Sequence, residues 1–304
     1  MAEPFITTVV GSMPKPPWLY NQVHLDAKGF DHHGTGSDWL LEGDPLHNAQ
    51  DDAVRLAIYD QESAGVRIIS DGEQRRKTYL TYVTSQLGGF DYETLAEKWI
   101  RDGRRLAQVG RCTGPVEWRG PIVVDDLRFL LTNTTSPVKV TLPGPMTVTD
   151  STYDAYYGDE RTFALEVAAA INREAKALDA LGPAVIQFDE PVFSRYPDKV
   201  AEWGIEALDR AADGLHAQTA VHVCYSYTMP GVERPIRPSY PQILAELERS
   251  QIDQLALEFH APQLDPKLLE FCPSKTVLFG CIDNADPVVE NAEVIAQRLL
   301  AAAE

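Results

Sequence analysis

His222 and Cys224 stand two positions apart in the apolar stretch VHVCYS, residues 221–226. In an extended strand successive side chains alternate, so these two share one face and Val221, Val223 and Tyr225 the other. An imidazole and a thiol on one face are half of a zinc site. The same pair also suits a plain buried strand, since free cysteine packs well in cores and a core histidine needs only a hydrogen-bond partner. A further donor lies in LALEFH, residues 255–260, where Glu258 sits among apolar neighbours. An unpaired carboxylate there is costly, and a cation beside it removes the cost. His222, Cys224 and Glu258 on adjacent strands therefore form a credible donor set for zinc, which accepts imidazole, thiolate and carboxylate together. Such a centre activates an incoming thiol as a nucleophile by favouring its thiolate, and spacing alone leaves zinc-bound water in a hydrolase equally open.

These residues must be positioned by regular elements, and the chain supplies a series of them. Apolar runs occur at 5–13, 66–73, 138–145, 184–191, 219–226, 254–260 and 276–283, each ending in a polar or glycine-containing turn. Runs of this length, rich in Val, Ile and Leu, suit parallel strands buried on both faces, and helical patterns lie between them. The helices read as a segment around 48–64, the stretch 161–181 stopped by Gly182-Pro183, and 286–303, opened by Asp286 as N-cap with Pro287 behind it. The fold class predicted is α/β, a TIM (β/α)8 barrel in one catalytic domain over residues 1–304, with seven strands found and the eighth missing from the chain. Loop insertions are expected at about 20–50, including His32 and His33 as solvated residues, and at about 101–136, as a hairpin plus helix. In such a barrel, chemistry belongs at the C-terminal strand ends. Those ends carry Ser12, then Asp71 and Glu73, Asp189 and Glu190, His222 and Cys224, Glu258 and His260, and finally Cys281 and Asp283. Each has a plainer reading: Asp189-Glu190-Pro191 could cap a helix, and Glu73 could pair on the surface with Arg75 or Arg76.

Composition narrows the partners. With 27 Lys+Arg against 45 Asp+Glu the net charge is −18, which repels nucleic acid and anionic membranes. No signal segment or membrane-spanning run is visible, and four scattered cysteines do not read as a disulfide framework. A cytoplasmic enzyme is expected.

Six motifs in order, TTVVGSMP, SDGEQRR, LPGPMT, VIQFDEPVF, VHVCYS and LALEF, resemble the C-terminal catalytic barrel of cobalamin-independent methionine synthase and its single-domain relatives, which include epoxyalkane:coenzyme M transferase. The resemblance runs from Thr7 to about Val289. It implies a barrel with zinc at its mouth, His222, Cys224 and Glu258 as metal ligands, and Ser12, Glu73 and Asp189 holding the amino-acid part of homocysteine. The activity implied is transfer of a methyl or alkyl group to a small thiol, homocysteine giving methionine. The family's last thiolate ligand lies in a DCG motif on the eighth strand, which this sequence does not reach; Cys281 is the substitute within it. In IDNADP, Ala285 replaces the family's histidine, and GPMTVTDST lacks the tryptophan on which folate would rest. These departures point away from polyglutamylated folate and toward a methylated corrinoid, a small methylated compound or an epoxide. Epoxide opening by coenzyme M is the runner-up. A metal-free porphyrin-type decarboxylase would need arginine near the first strand, where only Lys15 is found.

Overall fold

The computed structural model describes residues 5–21, 38–100, 103, 105–225, 238–283, 286 and 288–303. Its helices are α1 (Gly43–Ser63), α2 (Tyr79–Thr84), α3 (Val124–Asn133), α4 (Pro145–Asp150), α5 (Glu160–Asp179), α6 (Pro197–Lys199), α7 (Ile205–Ala212), α8 (Tyr240–Glu248) and α9 (Ala292–Ala303). Its strands are β1 (Gly88–Ile100), β2 (Arg105–Glu117), β3 (Lys139–Pro143), β4 (Tyr153–Asp154), β5 (Val185–Asp189), β6 (Gln218–Val223), β7 (Gln254–Glu258) and β8 (Thr276–Gly280).

The main sheet has the order β3-β5-β6-β7-β8, parallel at every step. Two single parallel bridges, Ile69 to Val138 and Thr8 to Ile68, extend it on the β3 side. Seven strand positions thus follow chain order, one for each apolar run in the sequence. This is the parallel α/β architecture of the TIM-barrel class; among the described residues no strand links β8 back to the Thr8 segment, so the barrel is not closed.

Alternation along the strands sorts side chains into two layers. Val140, Leu142, Ile186, Phe188, Val221, Val223, Leu255 and Leu257 are all buried, in one cluster with the helices' apolar faces. Each such side chain contributes about 1.5–3 kcal/mol of transfer free energy. Helix α5 supplies Phe163, Val167, Ile171 and Leu178 to that cluster at helical spacing. It begins where the Asp159 carboxylate accepts the Thr162 N–H at 2.8 Å. The opposite layer is polar: Lys139, Thr141, Gln187, Asp189 and His222 alternate with the apolar set. The register pairs Thr141 with Gln187, Pro143 with Asp189, and Asp189 with His222, which stacks these groups below one strand-end mouth.

Several boundaries differ from those read in the sequence. The insertion begins earlier than residue 101: β1 and β2 form an antiparallel hairpin from Gly88 to Glu117, followed by α3. Its first strand contains Glu93, Ala96, Glu97 and Lys98, residues that read locally as helix formers, and cross-strand pairing overrides that preference. Gly89, at φ +87°, faces the carbonyls of Gly114 and Pro115 so closely that no side chain fits. Within the 20–50 segment, residues 43–50 already belong to α1, while His32 and His33 lie outside the described residues. The last helix starts at Ala292, not near Asp286. Asn291 caps it, its side-chain oxygen accepting the Glu293 N–H at 2.8 Å. No helix among the described residues is long and apolar enough to cross a membrane.

Candidate active site

Three consecutive strand ends build the centre. Asp189 closes β5, His222 is the fifth residue of β6, and Cys224 follows that strand. Val223 pairs with Leu257, so one step further on Cys224 lies beside Glu258. His222 Nδ1 hydrogen-bonds Asp189 Oδ1 at 3.1 Å, and the ring also hydrogen-bonds the Cys224 side chain; with Nδ1 engaged by the carboxylate, Nε2 is the nitrogen that would meet a cation. Burial disfavours the imidazolium, but Cys224 and Asp189 outweigh burial and raise its pKa to about 10. A cation binding there would compete with that proton. Glu258 Oε2 accepts the Tyr225 N–H at 2.9 Å. The Tyr240 hydroxyl donates to the Val223 carbonyl at 3.0 Å and accepts the Glu258 N–H at 3.2 Å, joining the two strand ends.

Imidazole, thiol and carboxylate at neighbouring strand ends, with the histidine oriented by a carboxylate, match the donor chemistry of zinc. Among the described residues, no three His, Cys, Asp or Glu side chains converge tightly enough to hold a cation by themselves. Cys281 follows Gly280, the residue paired with Glu258, and its carbonyl accepts from Arg298 at 2.8 Å; burial raises its thiol pKa. Asp283 donates its N–H to Glu290 at 3.2 Å, and His260 Nε2 stands 3.3 Å from the same carboxylate.

A second polar group lies across the mouth. Glu73 is buried, with Ser12 donating to Oε2 and Thr141 donating to Oε1 at 2.8 Å. Its backbone is left-handed, φ +54°, a conformation that costs a non-glycine residue about 1 kcal/mol or more. The Glu73 N–H donates to Asp71 Oδ1 at 3.0 Å and holds that turn. The Arg76 guanidinium, 1% exposed, donates to the carbonyl and hydroxyl of Thr141, both at 3.0 Å. Burial opposes its charge, but Asp71 and Glu73 more than compensate and raise its pKa. Lys15 sits near the same acids, its pKa lowered chiefly by burial.

Glu190 has a different role from its neighbour Asp189. Its carboxyl accepts the N–H groups of Met146 and Thr147 at 2.8 Å and the Thr147 hydroxyl at 2.7 Å, anchoring the start of α4. Sequence reading passed over Lys139, Thr141 and Gln187, which lie inside runs taken as apolar. Their signal was the alternation of polar residues at 139 and 141, and at 187 and 189, within those runs. A surface cleft of about 900 Å3 between α5 and α7 lies on the outer helices and touches none of this machinery.

A parallel α/β sheet of barrel type, with its polar groups gathered at the C-terminal strand ends, places the chain in the TIM-barrel class, whose enzymes carry their active sites at that mouth. The chain belongs to the family described as "Cobalamin-independent synthase, Catalytic domain", whose sequence model matches residues 5–304. A methionine synthase of Sulfurisphaera tokodaii is 30% identical over 294 residues, covering 96% of this chain and 79% of the relative. One of Pyrococcus horikoshii is 29% identical over 295 residues, covering 96% and 80%. Among solved structures, a B12-independent methionine synthase from a Shewanella species in complex with selenomethionine superposes with a TM-score of 0.87 at 38% identity, covering 97% of this chain and 85% of that one. A further structure, from Listeria monocytogenes, is similar in fold, with a TM-score of 0.70 at 17% identity.

Proposed function

We propose that the chain is a methyltransferase of the methionine-synthase type, moving a methyl group onto the thiol of homocysteine, with zinc held by His222, Cys224 and Glu258. The observation that carries this reading is the Asp189–His222 hydrogen bond, which engages Nδ1 of the histidine while the register brings Cys224 and Glu258 to the neighbouring strand ends. When bound, zinc supplies a positive centre that lowers the pKa of a substrate thiol toward neutrality. Asp189 orients His222 and, with Glu73, offers negative charge to the ammonium of the amino acid; the Ser12 turn faces its carboxylate. Glu73 is pre-set for this task by Ser12 and Thr141, which fix both carboxylate oxygens before substrate arrives. In the transfer itself the sulfur forms the new bond to the methyl carbon as the donor's bond to that carbon breaks, its electron pair leaving with the donor. Coenzyme M carries a sulfonate and no ammonium, so two acids at the mouth favour homocysteine over it.

The relatives named methionine synthase, and the selenomethionine carried by the Shewanella structure, support this acceptor. The donor we infer is not polyglutamylated folate, because GPMTVTDST offers no tryptophan for a folate ring; Ala285, at the position of the family's histidine, lies outside the described residues. A methylated corrinoid fits better. The four cysteines are all free, which suits a reducing, cytoplasmic setting. The test is an assay of homocysteine and coenzyme M against methylated corrinoid, methyltetrahydrofolate and a short epoxide, with methionine or the thioether quantified. Methionine formed from homocysteine supports the reading, and turnover only of coenzyme M with epoxide overturns it.

A further inference from the structure

Beneath the mouth, a run of hydrogen bonds connects a buried ammonium group to the metal-site histidine. Lys139, the first residue of β3, is 1% exposed. Its ammonium donates to the carbonyl of Val9, to that of Val10 at 3.4 Å, and to Gln187 Oε1 at 2.8 Å. Gln187, fully buried, donates from Nε2 to the Val10 carbonyl at 2.9 Å and to Asp189 Oδ1 at 2.7 Å. Asp189 Oδ1 in turn faces His222 Nδ1 at 3.1 Å.

The direction of each bond is dictated by chemistry. An ammonium only donates, so the carboxamide atom facing Lys139 must be oxygen, and the amide of Gln187 cannot flip without losing that bond. Its NH2 group must then point at the Val10 carbonyl and at Asp189. A carboxylate only accepts, so His222 must keep a proton on Nδ1, and when a cation displaces the other proton the lone pair that meets it is on Nε2. Removing either Lys139 or Gln187 leaves Asp189 free to rotate and the imidazole free to take the other tautomer. An apolar residue would fill the space around Lys139 without the cost of burying a charge, so stability alone does not account for an ammonium there.

We propose that Gln187, locked by Lys139, is a positioning residue that fixes the Asp189 carboxylate and through it the Nε2-donating tautomer of His222. The inference rests on His222 being a metal ligand. Loss of an outer hydrogen-bond partner of this kind costs metal sites about 10–100-fold in affinity.

The experiment compares the wild-type protein with Gln187→Met, Gln187→Glu and Lys139→Met. Zinc affinity is measured by competition with a chromophoric chelator, and the His222 nitrogen that binds the metal by nitrogen-15 NMR of the zinc-loaded protein at neutral pH, with His222→Gln used to assign the signal. The expected result is Nε2 bound and Nδ1–H retained in the wild type, a mixture of Nε2 and Nδ1 binding in the variants, and an affinity fall of about 10–100-fold with the circular dichroism spectrum retained. Gln187→Glu keeps the shape and an ion pair to Lys139 but presents an acceptor to Asp189, so it tests the idea even if the methionine variants fold poorly. Wild-type zinc binding with unchanged affinity and tautomer in the folded variants overturns the inference and leaves the metal site standing. Failure of the wild type to bind zinc refutes the metal reading, and this inference with it.

Discussion

Substituting Gly144 by alanine is expected to damage the protein through one carboxyl group. Gly144 precedes α4, and a Cβ built on it falls inside the side chain of Glu190. Glu190 is fully buried, and its hydrogen bonds to Met146, Thr147 and the Thr147 hydroxyl tie the β3 loop to the end of β5. Burial pushes its carboxyl up to about 8 against those bonds. Displacing the group strands it and three donors together. At about 1–3 kcal/mol for each unsatisfied buried group, and with partial relaxation, the loss should be about 3–5 kcal/mol. Urea unfolding followed by tryptophan fluorescence measures it. Gly11→Ala is the comparison, since its Cβ meets only Glu73 Oε1 at an ordinary 3.8 Å, and its change should stay below about 1 kcal/mol. In a Glu190→Ala background the clash is gone, so Gly144→Ala should then cost about 1 kcal/mol or less. Additive losses in the double variant, or a Gly144→Ala loss below about 1 kcal/mol, would refute the reasoning.

Burial lowers the pKa of Lys139 to about 8, while Asp189 and Glu73 partly restore it. Between pH 8 and 10 the unfolded chain then holds a lysine proton that the native chain has released, so Lys139 contributes a rise in stability with pH, opposed over the same range by His222, whose raised pKa keeps a proton that the unfolded chain has lost. The stability of Lys139→Met should therefore fall more steeply with pH than that of the wild type, as read from denaturant midpoints across that range, and equal slopes would refute the assignment. Cys224→Ser should lose zinc and methyl transfer together, checked by metal analysis and methionine formation on the same sample; full turnover without the thiol would show that the strand is only structural. Hydrogen exchange should be faster in β8, whose apolar side chains are half-buried, than in β5, where all five residues are buried. Equal protection in the two strands would contradict the openness of the sheet edge.

Much of the architecture was legible because five of the seven apolar runs are parallel strands, β3 and β5 buried throughout, and the other two join the sheet through single bridges; Val, Ile and Leu reveal that burial directly. The mouth residues Asp189, His222, Cys224 and Glu258 were legible because polar groups that end apolar runs have few other reasons to be there. Lys139 and Gln187 escaped because a polar side chain inside a short apolar run looks like an exception until the register shows a whole polar layer. Glu190 was visible as an acid, yet only the close approach of Gly144 shows that it serves a helix start. The hairpin boundary was hidden by helix-forming residues at 93–98 that tertiary pairing overrules. The start of the last helix was misplaced because Asp286 and Asn291 are both good caps, and only backbone conformation chooses between them.

Zinc K-edge X-ray absorption of the protein, before and after adding homocysteine, bears most directly on the central claim. The account predicts about one zinc per chain, held by mixed nitrogen or oxygen and sulfur neighbours, with one sulfur gained when the thiol is added. Absence of bound zinc, or a coordination shell that homocysteine leaves unchanged, would contradict it.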